Sequence, residues 1–379
     1  MELQVIPDLS AIAPEDWNRL RGTDNPFLRH EFLSGLETYH CLAPYGWTPQ
    51  HLIATEQGRL VGAVPMYLKT NTYGEFVFDF SWAQAYDRAG LAYFPKLVAA
   101  VPYSPVTGNR ILSSDPRVVE QLILGAREHA KHLRVSSLHW LFPTESNTQQ
   151  LEQHGYLRRT GCQFHWTNAG YRDFADFLAT FNAQKRKSVN RERRRVSDAG
   201  VEIEILDGHA ATDEHWQIFH RFYASTFARL SGWATMSEDF FRHLGRTLPD
   251  QIMLVLAKHQ GRYVAGAFSM RSNDTLYGRH WGCDTEFNSL HFEACYYQGI
   301  DYCIKHGLKH FEPGAQGEHK VGRGFAPTHT WSAHWLAEPG FHRAVADFVK
   351  HERKGMDQYM SELDEHLPFK NSAALDVPQ

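Results

Sequence analysis

The sequence predicts a mixed α/β protein built from two similar halves, and three observations carry that prediction. A short pattern occurs twice, as ATEQGRLVGAVPM at Ala54–Met66 and as AKHQGRYVAGAFSM at Ala257–Met270. Both copies read A-x-x-Q-G-R-x-V, with a Gly-Ala pair one residue further on in the second. Each is an apolar run, a Gln-Gly turn and another apolar run, which is the signature of a β-hairpin. The elements after each hairpin also repeat, in the order strand, helix, strand. Lastly, a helical segment rich in basic residues separates the two halves.

In the first half an aromatic stretch, Phe76 to Phe94, leads to VPYSPVTGNR at Val101–Arg110. A helix then starts with Ser114 or Asp115 as N-cap and Pro116 in its first turn, and runs to about Leu133. A strand is expected at Val135–Phe142. In the second half a strand at Thr275–Cys283 reaches a turn at Asn288-Ser289. A helix comes next, from Leu290 to His306, closed by Gly307, and then a strand at Lys309–Pro313. Between the halves, Phe174, Phe177, Leu178 and Phe181 recur at helical spacing. Seven of the eleven residues from Lys185 to Arg195 are basic, which suits a solvated helix face or a helix that holds phosphate or carboxylate. Near the C-terminus, Phe341, Val345, Phe348, Met356, Tyr359 and Leu363 mark an amphipathic helix to about Leu367. The expected division is residues 1–168, residues 169–370 and a disordered tail at 371–379.

Composition narrows the class. The 379 residues are 42% hydrophobic and 22% charged, enough for two ordinary domains. A net charge of −4 gives no general affinity for DNA or an acidic membrane. Five cysteines without a C-x-x-C pair argue against a disulfide framework or a structural zinc site. The N-terminal stretch is acidic and lacks a signal-peptide core, and no apolar run is long enough to span a bilayer. A cytoplasmic location is the expectation.

The densest chemistry lies in FEPGAQGEHKVGRGF, Phe311 to Phe325. It holds Glu312, Glu318, His319, Lys320, Arg323 and four glycines in fifteen residues. Glycine permits φ > 0 and close approach of a backbone to a ligand. Acid, base and cation beside such glycines suit proton transfer next to a charged substrate. A polar surface loop with Gly turns is the plainer alternative. Two rival chemistries are weaker. Cys283 would serve as an acyl-accepting thiol, but a lone strand cysteine is usually a small buried apolar residue. His291, Glu293, His306 and His310 lack the tight spacing of metal ligands.

The order hairpin, strand, loop, helix, strand resembles the core of the Gcn5-related N-acetyltransferase (GNAT) fold. Two copies in one chain resemble the Fem-type peptidyltransferases and their FemAB-like relatives. The chain is most similar to the bacterial family of predicted N-acyltransferases described as peptidoglycan biosynthesis or recognition proteins, over about residues 5 to 367. The motifs are Asn25–Leu28, Tyr93-Phe94-Pro95-Lys96, Pro102–Arg110, Leu290–Tyr297 and Gly314–Lys320. Lys320 follows His319 here, whereas the Fem segment has Phe before its lysine. No long charged heptad insertion is present, which weakens the case for a transfer-RNA donor.

The resemblance implies two tandem acetyltransferase-like domains, each a mixed central sheet flanked by helices. It also implies transfer of an acyl or aminoacyl group to an amine. Such a reaction needs a base for the amine, N–H donors for the oxyanion and a grip on the donor. Glu318 and His319 are the leading base candidates, followed by Glu312 and Glu293. Gly314, Gln316 and Gly317 are candidates for substrate or donor contacts, and Lys320, Arg323 and Arg186 for neutralising a carboxylate or phosphate. Ser104, Thr107, Gly108, Asn109 and Arg110, just before a helix N-terminus, suit an anion. Acyl-coenzyme A is the favoured co-substrate, with aminoacyl-tRNA second. The acceptor is a small-molecule or peptide amine, and no permanent cofactor or metal is called for. A non-catalytic protein recognising a cell-wall peptide or acyl ligand is the alternative of a different class.

Overall fold

The computed structural model describes residues 1–315 and 317–370. The chain divides into two compact units. The first comprises residues 1–161 together with 329–357; the second takes up residues 162–328 and the chain from 358 onward. Residues 329–357 fall within the stretch assigned from sequence to the second half, but they pack with the first. The tail expected at 371–379 lies outside the described residues. Among the described residues, no helix is long and apolar enough to cross a membrane.

The first unit contains β1 (Glu2–Ile6), α1 (Pro14–Asn18), α2 (His30–Thr38), β2 (Trp47–Pro49), β3 (His51–Glu56), β4 (Arg59–Val64), β5 (Met66–Lys69), α3 (Phe80–Arg88), β6 (Lys96–Ala99), α4 (Pro116–His132), β7 (Ser137–Leu141) and α5 (Glu145–Gln153). β8 (Leu157–Thr167) then leads into the second unit. Next come α6 (Phe174–Ala179), α7 (Ala183–Asp198), β9 (Val201–Leu206), α8 (Asp213–Arg229), α9 (Glu238–Thr247), β10 (Ile252–His259), β11 (Arg262–Arg271), β12 (Thr275–Cys283), α10 (Leu290–Phe292), α11 (Gln298–His306) and β13 (His310–Glu312). β14 (Ala326–Leu336) and α12 (Pro339–Asp364) complete the chain.

Both hairpins form as the sequence indicates. Gln57-Gly58 and Gln260-Gly261 are two-residue turns with positive φ throughout, 50° and 75° in one and 52° and 74° in the other. Such turns match the twist of the flanking strands. Both hairpins also shift register at the same place, between Ala54 and Thr55 and between Ala257 and Lys258. The repeat therefore extends to the irregularity.

The halves use their hairpins differently. In the second unit the sheet order is β8-β13-β12-β11-β10-β9, with β12 and β13 parallel and the other pairs antiparallel. In the first unit β3 and β4 join β1 in a separate three-stranded sheet. The main sheet there runs β2-β5-β6-β7-β14, with β6 and β7 parallel.

Helix α4 starts as expected, with the Asp115 carboxylate accepting from the Arg117 amide at 2.9 Å and Pro116 in the first turn. It covers one face of the first sheet through Val118, Leu122, Ile123 and Ala126. On another cluster Trp82 and Tyr86 of α3 pack with Leu336, Val345 and Val349. In the second unit α6, α11 and the Val321–Phe325 loop share one core with β11 and β12. Each unit is thus a mixed sheet flanked by helices.

Candidate active site

The Phe311–Phe325 segment is pinned from inside. Gly314, Gly317 and Gly324 adopt φ of 99°, 117° and 89°, a region closed to most other residues. A Cβ on Gly317 would sit 2.4 Å from the His319 ring. Residues Glu318–Arg323 then form one 3-10 turn that sorts its side chains. Val321 and Lys320 point inward, and Glu318 and His319 are exposed.

Lys320 was expected to meet an anion. Instead its side chain is 1% exposed and its ammonium donates to the Gly314 carbonyl at 2.7 Å. Burial pulls its pKa down to about 8. Lys320 is therefore an internal staple of the loop, not a ligand-facing cation.

Arg323 is similarly engaged. Its guanidinium donates to both Glu192 oxygens at 3.0 Å, to the Tyr297 hydroxyl at 3.0 Å and to the His319 carbonyl at 2.7 Å. It also lies 3.5 Å from the Phe292 ring centroid. Tyr297 donates to Glu192 in turn. One nitrogen serves both Glu192 oxygens, the other two serve Tyr297 and His319, and the stacking on Phe292 fixes the plane of the guanidinium. These contacts make Arg323 part of a wall and fix the His319 backbone.

His319 stands on that wall. Its Nε2 is 2.9 Å from the Tyr296 hydroxyl. Partial burial, then the Arg323 and Lys320 charges, hold its pKa below the usual imidazole range. The neutral ring is thus the prevailing form at pH 7. If Nε2–H donates to Tyr296, Nδ1 is left as an acceptor. Glu318 accepts from the Tyr359 hydroxyl of α12 at 2.6 Å.

These residues border a groove of about 620 Å³ within the second unit. Glu318, His319 and Arg323 form one side, and Lys185, Ser188 and Glu192 of α7 another. Asn182 caps α7 by accepting from the Lys185 amide at 2.9 Å. Among the described residues no carboxylate pairs with Lys185, so it presents a cation to the groove. Arg186 is the next residue on the same helix and is half-buried. Lys185 opens the basic run that the sequence offered for phosphate or carboxylate, whereas Glu192 was not singled out. The signal for Glu192 was its place as the lone acid in a basic run.

The remaining acids have other partners. Glu293 is 5% exposed and accepts from Arg193 at 3.0 and 3.2 Å and from Gln298 at 2.7 Å. Arg193 also holds Asp301 at 2.9 Å. Glu293 opens a π-helical turn, Glu293–Tyr297, inside the helix expected to be continuous. Its carboxylate ties α7 to that turn, so Glu293 is no free base. Glu312 ends β13 opposite Tyr277, and its charge supports Arg279, whose pKa burial pulls down to about 10. Gly314 and Gly317 shape the loop, and Gln316 lies outside the described residues.

β12 carries a second feature. Its parallel pairing with β13 stops after Tyr277 and Glu312. Its pairing with β11 skips Arg279, since Phe268 faces His280 and Ser269 faces Gly278. This β-bulge lies beside a cavity of about 100 Å³ lined by Arg279, Trp281, His291, Cys295 and Tyr296. Bulges re-aim backbone groups, and this one lies next to the cavity without entering the His319 groove.

The other expected anion site does not form. Arg110 is fully buried. Its guanidinium donates to the carbonyls of Leu141 at 2.8 Å, Val106 at 2.7 Å, Gly108 at 3.2 Å and Asn109 at 3.4 Å. Ser104 is 2% exposed. The Thr107 carbonyl accepts from Asn25, Gly108 pairs with Phe142 and Thr144, and Asn109 accepts from the Thr144 hydroxyl. The five residues form an inward-folded clamp, and the next helix already has its Asp115 cap. The cation needed to stitch so many carbonyls explains the arginine better than a ligand does.

Comparison with known proteins agrees with this architecture. FemX superimposes with a TM-score of 0.55 over 91% of this chain and 100% of its own, at 11% identity. L-PGS from Bacillus licheniformis gives 0.52 over 83% and 95%, at 11% identity. A conserved protein of unknown function from Bacteroides thetaiotaomicron gives 0.52 over 89% and 100%, also at 11%. No curated protein matches the sequence. The FemAB-like profile, described as peptidoglycan biosynthesis/recognition, matches residues 8–371, and with it the chain belongs to the FemAB-like family.

Proposed function

We propose that the second unit transfers an acyl or aminoacyl group from an activated donor to an amine, with His319 as the proton acceptor. The observation that carries this reading is a neutral imidazole on the wall of the 620 Å³ groove, fixed by Tyr296 and by the Arg323 lock. An alkyl ammonium must lose a proton before it attacks. His319 Nδ1 takes that proton while Nε2–H stays on Tyr296. Glu318, on the same wall, attracts the ammonium before deprotonation. Lys185 and the N-terminal end of α7 favour an anionic donor or acceptor group.

Acyl-coenzyme A remains the favoured donor and a peptide or small-molecule amine the acceptor. A second reading, an aminoacyl-tRNA donor, is favoured by Lys187, Arg191, Arg194 and Arg195, which are all exposed on α7. Non-catalytic recognition of a cell-wall peptide or acyl ligand belongs to a different class, and turnover decides it. Replacing His319 by Gln should lower kcat about 10²- to 10⁴-fold, the usual range for a general base. Glu318→Gln should chiefly raise KM for the amine. Both residues are exposed, so the melting temperature should stay put. Absence of turnover by the unaltered protein with thioesters and aminoacyl-tRNAs alike would favour the binding protein.

A further inference from the structure

The first unit contains a buried charge cluster that the proposed reaction does not use. Lys96, on β6, is fully buried and pairs with Glu75 at 2.7 Å and with Asp79 at 2.5 Å. Both carboxylates are 3% exposed. They lie on the strap Thr70–Phe80, which leads into α3. Asp79 occupies the N-cap position of α3 but makes no capping hydrogen bond; Lys96 and the Tyr93 hydroxyl take its carboxylate instead.

The strap alternates. Glu75 and Asp79 point inward, whereas Phe76, Phe78 and Phe80 are 40%, 53% and 53% exposed. Phe76 has φ of +60°, a conformation that costs a β-preferring aromatic on the order of 1 kcal/mol. Glu75 Oε1 and Asp79 Oδ1 are buried and receive no hydrogen bond from the described residues. The strap thus closes over buried charged groups at a cost in desolvation, strain, exposed apolar surface and incomplete hydrogen bonding.

A second buried ammonium faces Glu75. Lys69 on β5 is cross-strand partner of Lys96 and is also fully buried. It donates to Asn71 at 3.2 Å and to the Tyr73 carbonyl at 3.1 Å, both on the strap. Beyond Asp79 lie Tyr93, His139 on β7 and His334 on β14. His139 and His334 share a proton between their Nδ1 atoms at 2.7 Å. Ser137 and Ser332 contact their outer nitrogens at 2.8 Å. Burial keeps both imidazoles neutral at pH 7 and Tyr93 protonated. Arg159, the remaining charge near the imidazoles, is paired with Glu352 at 2.7 Å.

We propose that Thr70–Phe80 is a latch closed over buried titratable groups, whose opening is favoured when Glu75 and Lys69 are both charged and which tightens when either is neutral. Each of those charges loses hydration on closing and regains it on opening. Burial pushes the Glu75 carboxyl up to about 7 against the pull of Lys96, from an ordinary 4.5. Between those values the closed strap keeps a proton that the open one releases, so closure weakens as pH rises. Burial pulls Lys69 down to about 7 from 10.5. Across that window the open strap takes up a proton that the closed one lacks, so closure strengthens as pH rises. The latch is loosest near neutrality. Opening would expose Lys96 and the His139–His334 pair and move three phenylalanines with it.

Hydrogen exchange tests this on the full chain, read as protection of the Tyr73, Trp82, Ala83 and Tyr103 amides, which donate to Asn71, Asp79 and Gly74 of the strap, relative to the unfolded chain at each pH. Protection should fall at least about tenfold from pH 5 to pH 7 and recover toward pH 9. Glu75→Gln should abolish the acid-side fall and keep the recovery; Lys69→Met should do the reverse. Protection that does not dip near neutrality, or a dip that survives in Glu75→Gln, would overturn the latch. Glu75→Gln is nearly isosteric and decides the matter even if Lys69→Met fails to fold.

Discussion

His319 owes its position to residues that take no proton in the proposed reaction. Arg323 grips its carbonyl, Glu192 and Tyr297 grip Arg323, and Gly317 leaves room for its ring. The lowered His319 pKa has a kinetic consequence with a definite sign. The base works when neutral, so kcat/KM should rise with pH and level off, with the midpoint of the acid limb below 6.5. The pH–rate profile of the His319→Gln variant should lack that limb. Glu318, His319 and Arg323 were legible as a cluster because they lie within six residues of one another. Which of them faced the groove was not, because a 3-10 turn alternates sides and Lys320 fell inward. Arg110 misled for the opposite reason: beside Gly and Asn, an arginine that binds backbone carbonyls reads like one that binds phosphate.

At the scale of elements, turn chemistry and caps were the readable features. Gln57-Gly58, Gln260-Gly261, Asp115 and Gly307 all occupy the positions that their residue types suggest. The π-turn at Glu293–Tyr297 was hidden, since its cause is tertiary: Arg193 on another helix draws Glu293 to it. The separate β1-β3-β4 sheet was hidden as well, because a hairpin pattern does not say which sheet it joins. Close packing between elements also sets glycine positions that sequence cannot rank. A Cβ on Gly282 of β12 would lie 2.0 Å from the Phe222 carbonyl oxygen of α8. Neither backbone can retreat far, so Gly282→Ala should destabilise by about 1–3 kcal/mol. The check is a denaturant titration, where the midpoint should fall with an unchanged slope.

On the scale of the whole molecule, the duplicated order of elements was evident from the repeat, but the division of the chain was not. The first unit is completed by residues 329–357, which bring His334 to His139 and Val345 and Val349 to Trp82 and Tyr86. A boundary drawn at residue 168 misses them, because sequence proximity says nothing about a segment returning from the far end. A fragment of residues 1–168 should therefore expose the Trp82–Tyr86 cluster and leave a buried imidazole without its partner. Loss of near-ultraviolet dichroism in that fragment is the expected result, with recovery only when residues 329–357 are supplied.

The most direct test of an activated-donor site in the His319 groove is calorimetric titration of the intact protein with acetyl-, succinyl- and long-chain acyl-coenzyme A and with aminoacyl-tRNA, repeated on Lys185→Met. Saturable binding of at least one donor, weakened by the Lys185 change, is the predicted result. Silence with every donor, or binding that ignores the loss of Lys185, would contradict a donor site in that groove.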